Sequence, residues 1–132
     1  MDITTDTSVF IAVVLNEPEK SSVIKATAGH NLVGPGSIRW EITNAFSAMF
    51  KRNRINLRTA QKALAIFDVI PVRYLEVDFR HSLKLAHDNN IYAYDAYFLD
   101  CALRHKTPLL SLDSRLINSA SKIGIDIVEL LI

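Results

Sequence analysis

The sequence predicts an α/β fold: a central, mostly parallel β-sheet of four to five strands with helices on both faces. Short β-leaning or apolar runs alternate along the chain with stretches of helical periodicity. The run Leu109-Leu110-Ser111-Leu112 is nearly all apolar, as expected for a strand covered on both sides. Asp6 and Asp113 each stand directly after such a run, where open α/β sheets hold their ligands. The chain has 132 residues, enough for one domain with a sizeable core, and shows no repeat, low-complexity tract or linker. Residues 1–132 are therefore expected to form one unit.

The elements follow in order. Asp2 to Thr5 leans to β through Ile3, Thr4 and Thr5, and Thr7 to Leu15 is an apolar helix broken by Asn16-Glu17-Pro18. Pro18 suits the first turn of a second helix, which runs through Val23, Ile24 and Ala26 to Gly29 as its C-cap. Asn31 to Val33 is the second strand, and Gly34-Pro35-Gly36 reads as a tight turn. Ser37 caps a third helix with the cleanest stripe in the chain: Ile38, Ile42, Ala45, Phe46, Met49 and Phe50. Asn56 caps a fourth helix from Leu57 to Asp68, and Val69 to Leu75 carries the third strand. Asp78 starts a fifth helix ending near His87, and Asn89-Asn90 turns the chain. The next helix opens around Asp95, with Phe98, Leu99, Ala102 and Leu103 at helical spacing, and Pro108 forbids its continuation beyond His105-Lys106-Thr107. After the apolar run and Asp113 comes another helical pattern. Asp126 to Leu131 is expected as the last strand.

Bulk properties exclude several classes. Apolar residues make up 49% and charged ones 22%, an ordinary globular composition. Fifteen Lys and Arg against fourteen Asp and Glu give a net charge of +1, which excludes a strongly basic nucleic-acid coat but not a local patch. No apolar run is long enough to span a bilayer, and MDITTDTS lacks the basic start and apolar core of a signal peptide. The lone Cys101 cannot form an internal disulfide and suits burial in a reducing compartment. The expected location is the cytoplasm, with no membrane partner.

Four acids stand out: Asp6, Glu41, Asp95 and Asp113. Each has a structural explanation when taken alone. Asp6 and Asp95 could be helix caps, and Glu41 gains from the dipole at the start of its helix. No capping box supports Asp6, because Val9 stands three residues on. Asn44, one turn beyond Glu41, could orient it. Taken together the acids mean more, because strand ends and helix starts converge on one cleft in such a sheet. Two carboxylates about 5 Å apart repel by about 3 kcal/mol at an effective dielectric of 20. Such a cluster persists when a divalent cation neutralises it or when some acids take up protons. Oxygen donors without a histidine or thiol cluster favour Mg²⁺ or Mn²⁺ over zinc.

The order Thr5-Asp6-Thr7-Ser8, Glu41-x-x-Asn44, Tyr94-Asp95-Ala96-Tyr97 and Ser111-x-Asp113 resembles the PIN domain, and in particular the VapC-type toxins of prokaryotic toxin–antitoxin pairs. The likeness covers essentially the whole chain and rests on the ordered set rather than on one motif. It implies a Mg²⁺- or Mn²⁺-dependent endoribonuclease that leaves 5′-phosphate and 3′-hydroxyl ends. Asp6, Glu41, Asp95 and Asp113 would be its catalytic and metal-holding acids, and the hydroxyls of Ser8 and Ser111 would support them. It also implies RNA as substrate, a cognate antitoxin protein and a homodimer. One departure is Asp100, placed where the family carries an apolar or small residue. Its spacing to Arg104 suits an i,i+4 ion pair and a structural role.

Other features are less specific. The basic run Lys51, Arg52, Arg54 and Arg58 could contact RNA backbone, but it also ends a helix, where cations are favoured anyway. Arg80, His81 and Lys84 read as a solvated face, and Trp40 and the tyrosines as core or interface. Gly34-x-Gly36 fails as a dinucleotide loop because Arg39 stands where glycine is needed. Two rival functions are a non-catalytic PIN-like module that binds RNA or protein and an aspartyl-phosphate phosphatase with Asp6 as nucleophile. The phosphatase chemistry wants a second acid two residues on, where Ser8 stands.

Overall fold

The computed structural model describes residues 1–131. The elements run β1 (Asp2–Thr5), α1 (Thr7–Val14), α2 (Lys20–Thr27), β2 (Asn31–Pro35), α3 (Ile38–Lys51) and α4 (Leu57–Asp68). They continue through β3 (Val72–Leu75), α5 (Phe79–Asn89), α6 (Ala93–His105), β4 (Leu109–Leu110) and α7 (Ser114–Lys122). The four strands form one sheet in the order β3-β2-β1-β4, and every pairing is parallel. Among the described residues no helix is long and apolar enough to cross a membrane.

Strand alternation divides the core. Leu109 joins the larger apolar cluster with Phe10, Ile38, Ile42, Phe67, Phe98 and Leu116, while Ile3 and Leu110 pack on the other face with Val9 and Val23. Thr4 is fully buried against α6, its hydroxyl 2.6 Å from that of Thr107 and 3.6 Å from Cys101 Sγ. Cys101 is a free, buried cysteine, as its apolar setting implied.

The sequence expectations need correction in several places. The second strand runs on through Gly34 and Pro35, so the turn begins at Gly36. β2 lies between β1 and β3, and the chain stays extended because Ile38 packs directly over Gly34, where an added Cβ would meet Ile38 Cδ1 at 2.5 Å. Ser37 does not cap α3: its backbone is already helical and its hydroxyl reaches Glu41 instead. Val69 ends α4, which leaves the third strand to start at Val72. β4 covers only Leu109 and Leu110. The strand expected over Asp126 to Leu131 reduces to one parallel bridge between Leu109 and Ile127, carried by Leu109 N–H to the Asp126 carbonyl and Val128 N–H to the Leu109 carbonyl, both 2.9 Å. With so short a neighbour, nothing remains for a longer ladder to pair with.

The topology fixes where a ligand goes. From β1 the chain moves outward to β2 and β3, then returns to place β4 on the far side of β1. The switch point lies between β1 and β4, the crevice that open α/β sheets use for ligands. Asp6 follows β1 and Asp113 follows β4.

Candidate active site

The carboxyl ends of β1 and β4 and the first turns of α3 and α6 converge on an open cleft of about 520 Å³. Asp6, Thr7, Ser8, Trp40, Glu41, Asn44, Ala45, Tyr94, Asp95 and Asp113 line it. All four acids singled out in the sequence are among them, with Ser8 and Asn44. Ser111 stands behind the cleft, buried, on Asp6. Lys51, Arg52 and Arg54 are exposed around the end of α3, and none lines the cleft.

Asp6 is the most constrained of the acids. It occupies the N-cap position of α1 yet makes no side-chain cap bond, so capping does not explain it. Its Oδ2 accepts from Ser8 Oγ at 2.7 Å and Ser111 Oγ at 2.8 Å. Each hydroxyl is itself held from behind: Ser8 Oγ accepts from Leu112 N–H at 3.1 Å, and Ser111 Oγ from Asp113 N–H at 3.0 Å. The two serines thus stitch the loop after β1 to the loop after β4. Burial pushes the Asp6 carboxyl up, against the pull of these hydrogen bonds, and the charge of Asp113 adds to the rise.

Glu41 sits in the first turn of α3, where Ser37 Oγ donates to its Oε2 at 2.7 Å. The hydroxyl that holds it is therefore Ser37's rather than the Asn44 amide expected from the sequence. Ser37 has the composition of a helix cap, which hides this contact in the sequence. Burial raises the Glu41 pKa to about 7, and the charges of Asp6 and Asp95 add to the effect. Thr7 Oγ1 lies near enough to temper that rise, but it is buried without a hydrogen-bond partner in good geometry. Asp95 lies in the first turn of α6, whose N-cap is Tyr92, so it too is no cap. Burial raises its pKa, and Asp6 and Asp113 add to the rise while Arg115 opposes it. Asp113 does cap its helix, with Oδ1 accepting from Arg115 N–H at 2.9 Å. For Asp6, Glu41 and Asp95 burial is the main cause of the rise, and the charge of at least one other acid of the cleft adds to it.

Residues 3–122 match the sequence model of the PIN domain. The chain belongs to the PIN domain family. Solved structures share its fold, among them the following two. PAE2754 from Pyrobaculum aerophilum is 18% identical with a TM-score of 0.71, over 97% of this chain and 84% of that one. VapBC2 from Rickettsia felis, solved bound to a DNA fragment from its promoter, is 13% identical with a TM-score of 0.68, over 98% of both chains. No curated protein matches the chain by sequence.

PIN domains are generally nucleases that use divalent metal ions, and this cleft fits such an ion in donor type. Its carboxylates and hydroxyls are hard oxygen donors, and the orphaned Thr7 hydroxyl is a further one. Among the described residues, however, no three His, Cys, Asp or Glu side chains close in as a ready ligand group.

Proposed function

We propose that this PIN domain is a Mg²⁺- or Mn²⁺-dependent endoribonuclease and the toxin of a type II toxin–antitoxin pair. It would act in the cytoplasm as a homodimer, under an antitoxin that covers the cleft. The observation that carries the catalytic part is the convergence of Asp6, Glu41, Asp95 and Asp113 on one cleft at the sheet's switch point. The toxin part is supported by the order of motifs and by the shared fold with VapBC2.

Asp6, Glu41, Asp95 and Asp113 would hold the ion, directly or through water. A bound divalent ion supplies positive charge to the scissile phosphate and acidifies water. Asp6 is held in place through its Oδ2 by the hydroxyls of Ser8 and Ser111. Glu41, with a pKa near neutrality, can carry a proton away from an attacking water, and a neighbouring cation would lower that pKa further. In the antitoxin-bound state an Arg or Lys of the partner would provide the balancing charge.

The test is RNA cleavage by the purified protein with Mg²⁺ or with EDTA. Cleavage only with the metal is the expected result. The rival is a non-catalytic module that binds RNA or protein; among the described residues the acids form no closed ligand trio. RNA left intact under both conditions would establish that rival instead.

The shared charge also predicts a stability effect. Without metal the acids repel, and the rise of the Glu41 pKa from its ordinary value to about 7 alone costs on the order of 1 to 2 kcal/mol at neutral pH after allowing for its partial exposure. Asparagine at position 113 keeps the α7 cap, because Asn caps about as well as Asp. Asp113→Asn should therefore melt higher than wild type in EDTA at neutral pH, by about 1 kcal/mol in stability. In Mg²⁺ the gap should close or reverse, since wild type gains more from the ion. Calorimetry on both proteins in both buffers checks this, and identical metal responses would refute the shared site.

A further inference from the structure

Two largely exposed aromatic rings stand in the acidic cleft. Trp40, in the first turn of α3 beside Glu41, is 72% exposed, and Tyr94, beside Asp95, is 51% exposed. Both line the same cleft as the four carboxylates. Of the two places expected for Trp40, core or interface, its exposure excludes the core.

The charge of the cleft explains why rings matter. No Lys or Arg lines it, although its ligand would be a polyanion. An adjoining cleft of about 330 Å³ shares Asp95 and Asp113 and adds one cation, Arg115, together with the 86%-exposed Tyr92. Backbone attraction, the usual source of nucleic-acid affinity, is therefore scarce along this path. Stacking on aromatic faces needs no charge and accepts any base. Tyr94 is also pre-positioned. It meets Tyr97 edge to face at 5.9 Å, and Tyr97 meets Phe79 in the same way at 5.8 Å. A ring already held loses little entropy when a base stacks on it.

We propose that Trp40 and Tyr94 are the base-stacking platforms of this site, each gripping an unpaired nucleobase beside the scissile phosphate. This rests on the ribonuclease reading above and adds a requirement to it. The substrate must present unstacked bases at the cleft, because a base paired within a duplex cannot offer its face to either ring.

Trp40 is the sole tryptophan, so its emission reports on the cleft directly. The Asp6→Asn protein in Mg²⁺ is titrated with a short single-stranded RNA and with the same sequence as a perfect duplex. The single strand should quench Trp40, and the duplex should not. In otherwise wild-type protein, Trp40→Ala and Tyr94→Ala should each raise the KM for single-stranded RNA roughly 5- to 150-fold, with a smaller change in kcat. Trp40→Phe and Tyr94→Phe should restore most of that loss, and the melting temperatures should stay put because both rings are exposed. Cleavage with unchanged KM in the alanine variants, or equal cleavage of the duplex, overturns the stacking role and leaves the ribonuclease reading intact. Emission that follows protein concentration rather than RNA also overturns it, and assigns Trp40 to a contact between copies of the chain. If wild type neither binds nor cuts RNA, the ribonuclease reading falls and takes this inference with it.

Discussion

Asp6→Asn should lower RNA cleavage by about 100-fold or more while leaving the protein folded. The two halves of that expectation rest on different atoms. Asp6 Oδ2 is occupied by the hydroxyls of Ser8 and Ser111, and an asparagine carbonyl oxygen in its place accepts the same two bonds. The stitch between the loops after β1 and β4 therefore survives. What is lost is the negative charge and the second carboxylate oxygen. Asp6→Ala would confuse the two effects, because it leaves both buried hydroxyls without their acceptor. The comparison of Asn with Ala, by turnover and by melting temperature, separates the chemistry from the scaffold. Glu41→Gln, Asp95→Asn and Asp113→Asn should likewise lose activity without unfolding. A fully active Asp6→Asn protein would remove the acid cluster from the mechanism.

What the sequence revealed of this site was what chain direction and periodicity encode. Asp6 and Asp113 were legible because each follows a short buried run, and the end of a strand is a place that spacing marks. Glu41 and Asp95 were legible as acids in first turns of helices. Ser8 and Ser111 came from motif order, and both hydroxyls prove to point at Asp6. What stayed hidden depended on partners distant in the chain or on local choices with near-equal energies. Gly34 and Pro35 have the composition of a turn, yet both pair with β3, and Ile38 packs closely over Gly34. Ser37 has the composition of a cap, yet Glu41 offers its hydroxyl a better acceptor than the backbone does. An aromatic ring such as Trp40 reads equally as core or interface, and only the assembled fold shows that it lies outside the core. The segment from Asp126 onward is β-leaning but meets only a two-residue neighbour, so a single bridge forms.

Asp100 shows both sides of that boundary, and its replacement by alanine should destabilise the protein by about 2 to 3 kcal/mol. The i,i+4 pair with Arg104 was visible in the sequence and is present at 3.3 Å. Nothing in the spacing revealed that the carboxylate is fully buried, or that it also accepts from the Asp78 amide at 2.8 Å and lies 2.6 Å from His81 Nδ1. His81 was read as part of a solvated face; instead it docks on this acid. Arg104 reaches Asp78 as well, at 3.4 Å, so one carboxylate on α6 organises the start of α5. Alanine would leave the Asp78 amide unpaired and strand the His81 and Arg104 groups. Those two are about 40% exposed, so water recovers part of the loss and the cost stays at the lower end for a broken buried pair. Burial pushes the Asp100 carboxyl up, but the hydrogen bonds of Asp78, His81 and Arg104 outweigh it and hold the pKa below the ordinary carboxylate value. A depressed folded pKa contributes stability that is complete above the unfolded value and vanishes as pH falls through the folded one. The gap in stability between wild type and Asp100→Ala should therefore be widest near neutral pH and narrow in acid. Melting curves across that range measure it. Below its melting point the variant should still cleave RNA, because Asp100 does not line the cleft. An Asp100→Ala protein as stable as wild type would refute the network's role in the fold, and one as inactive as Asp6→Asn while still folded would place Asp100 in the chemistry.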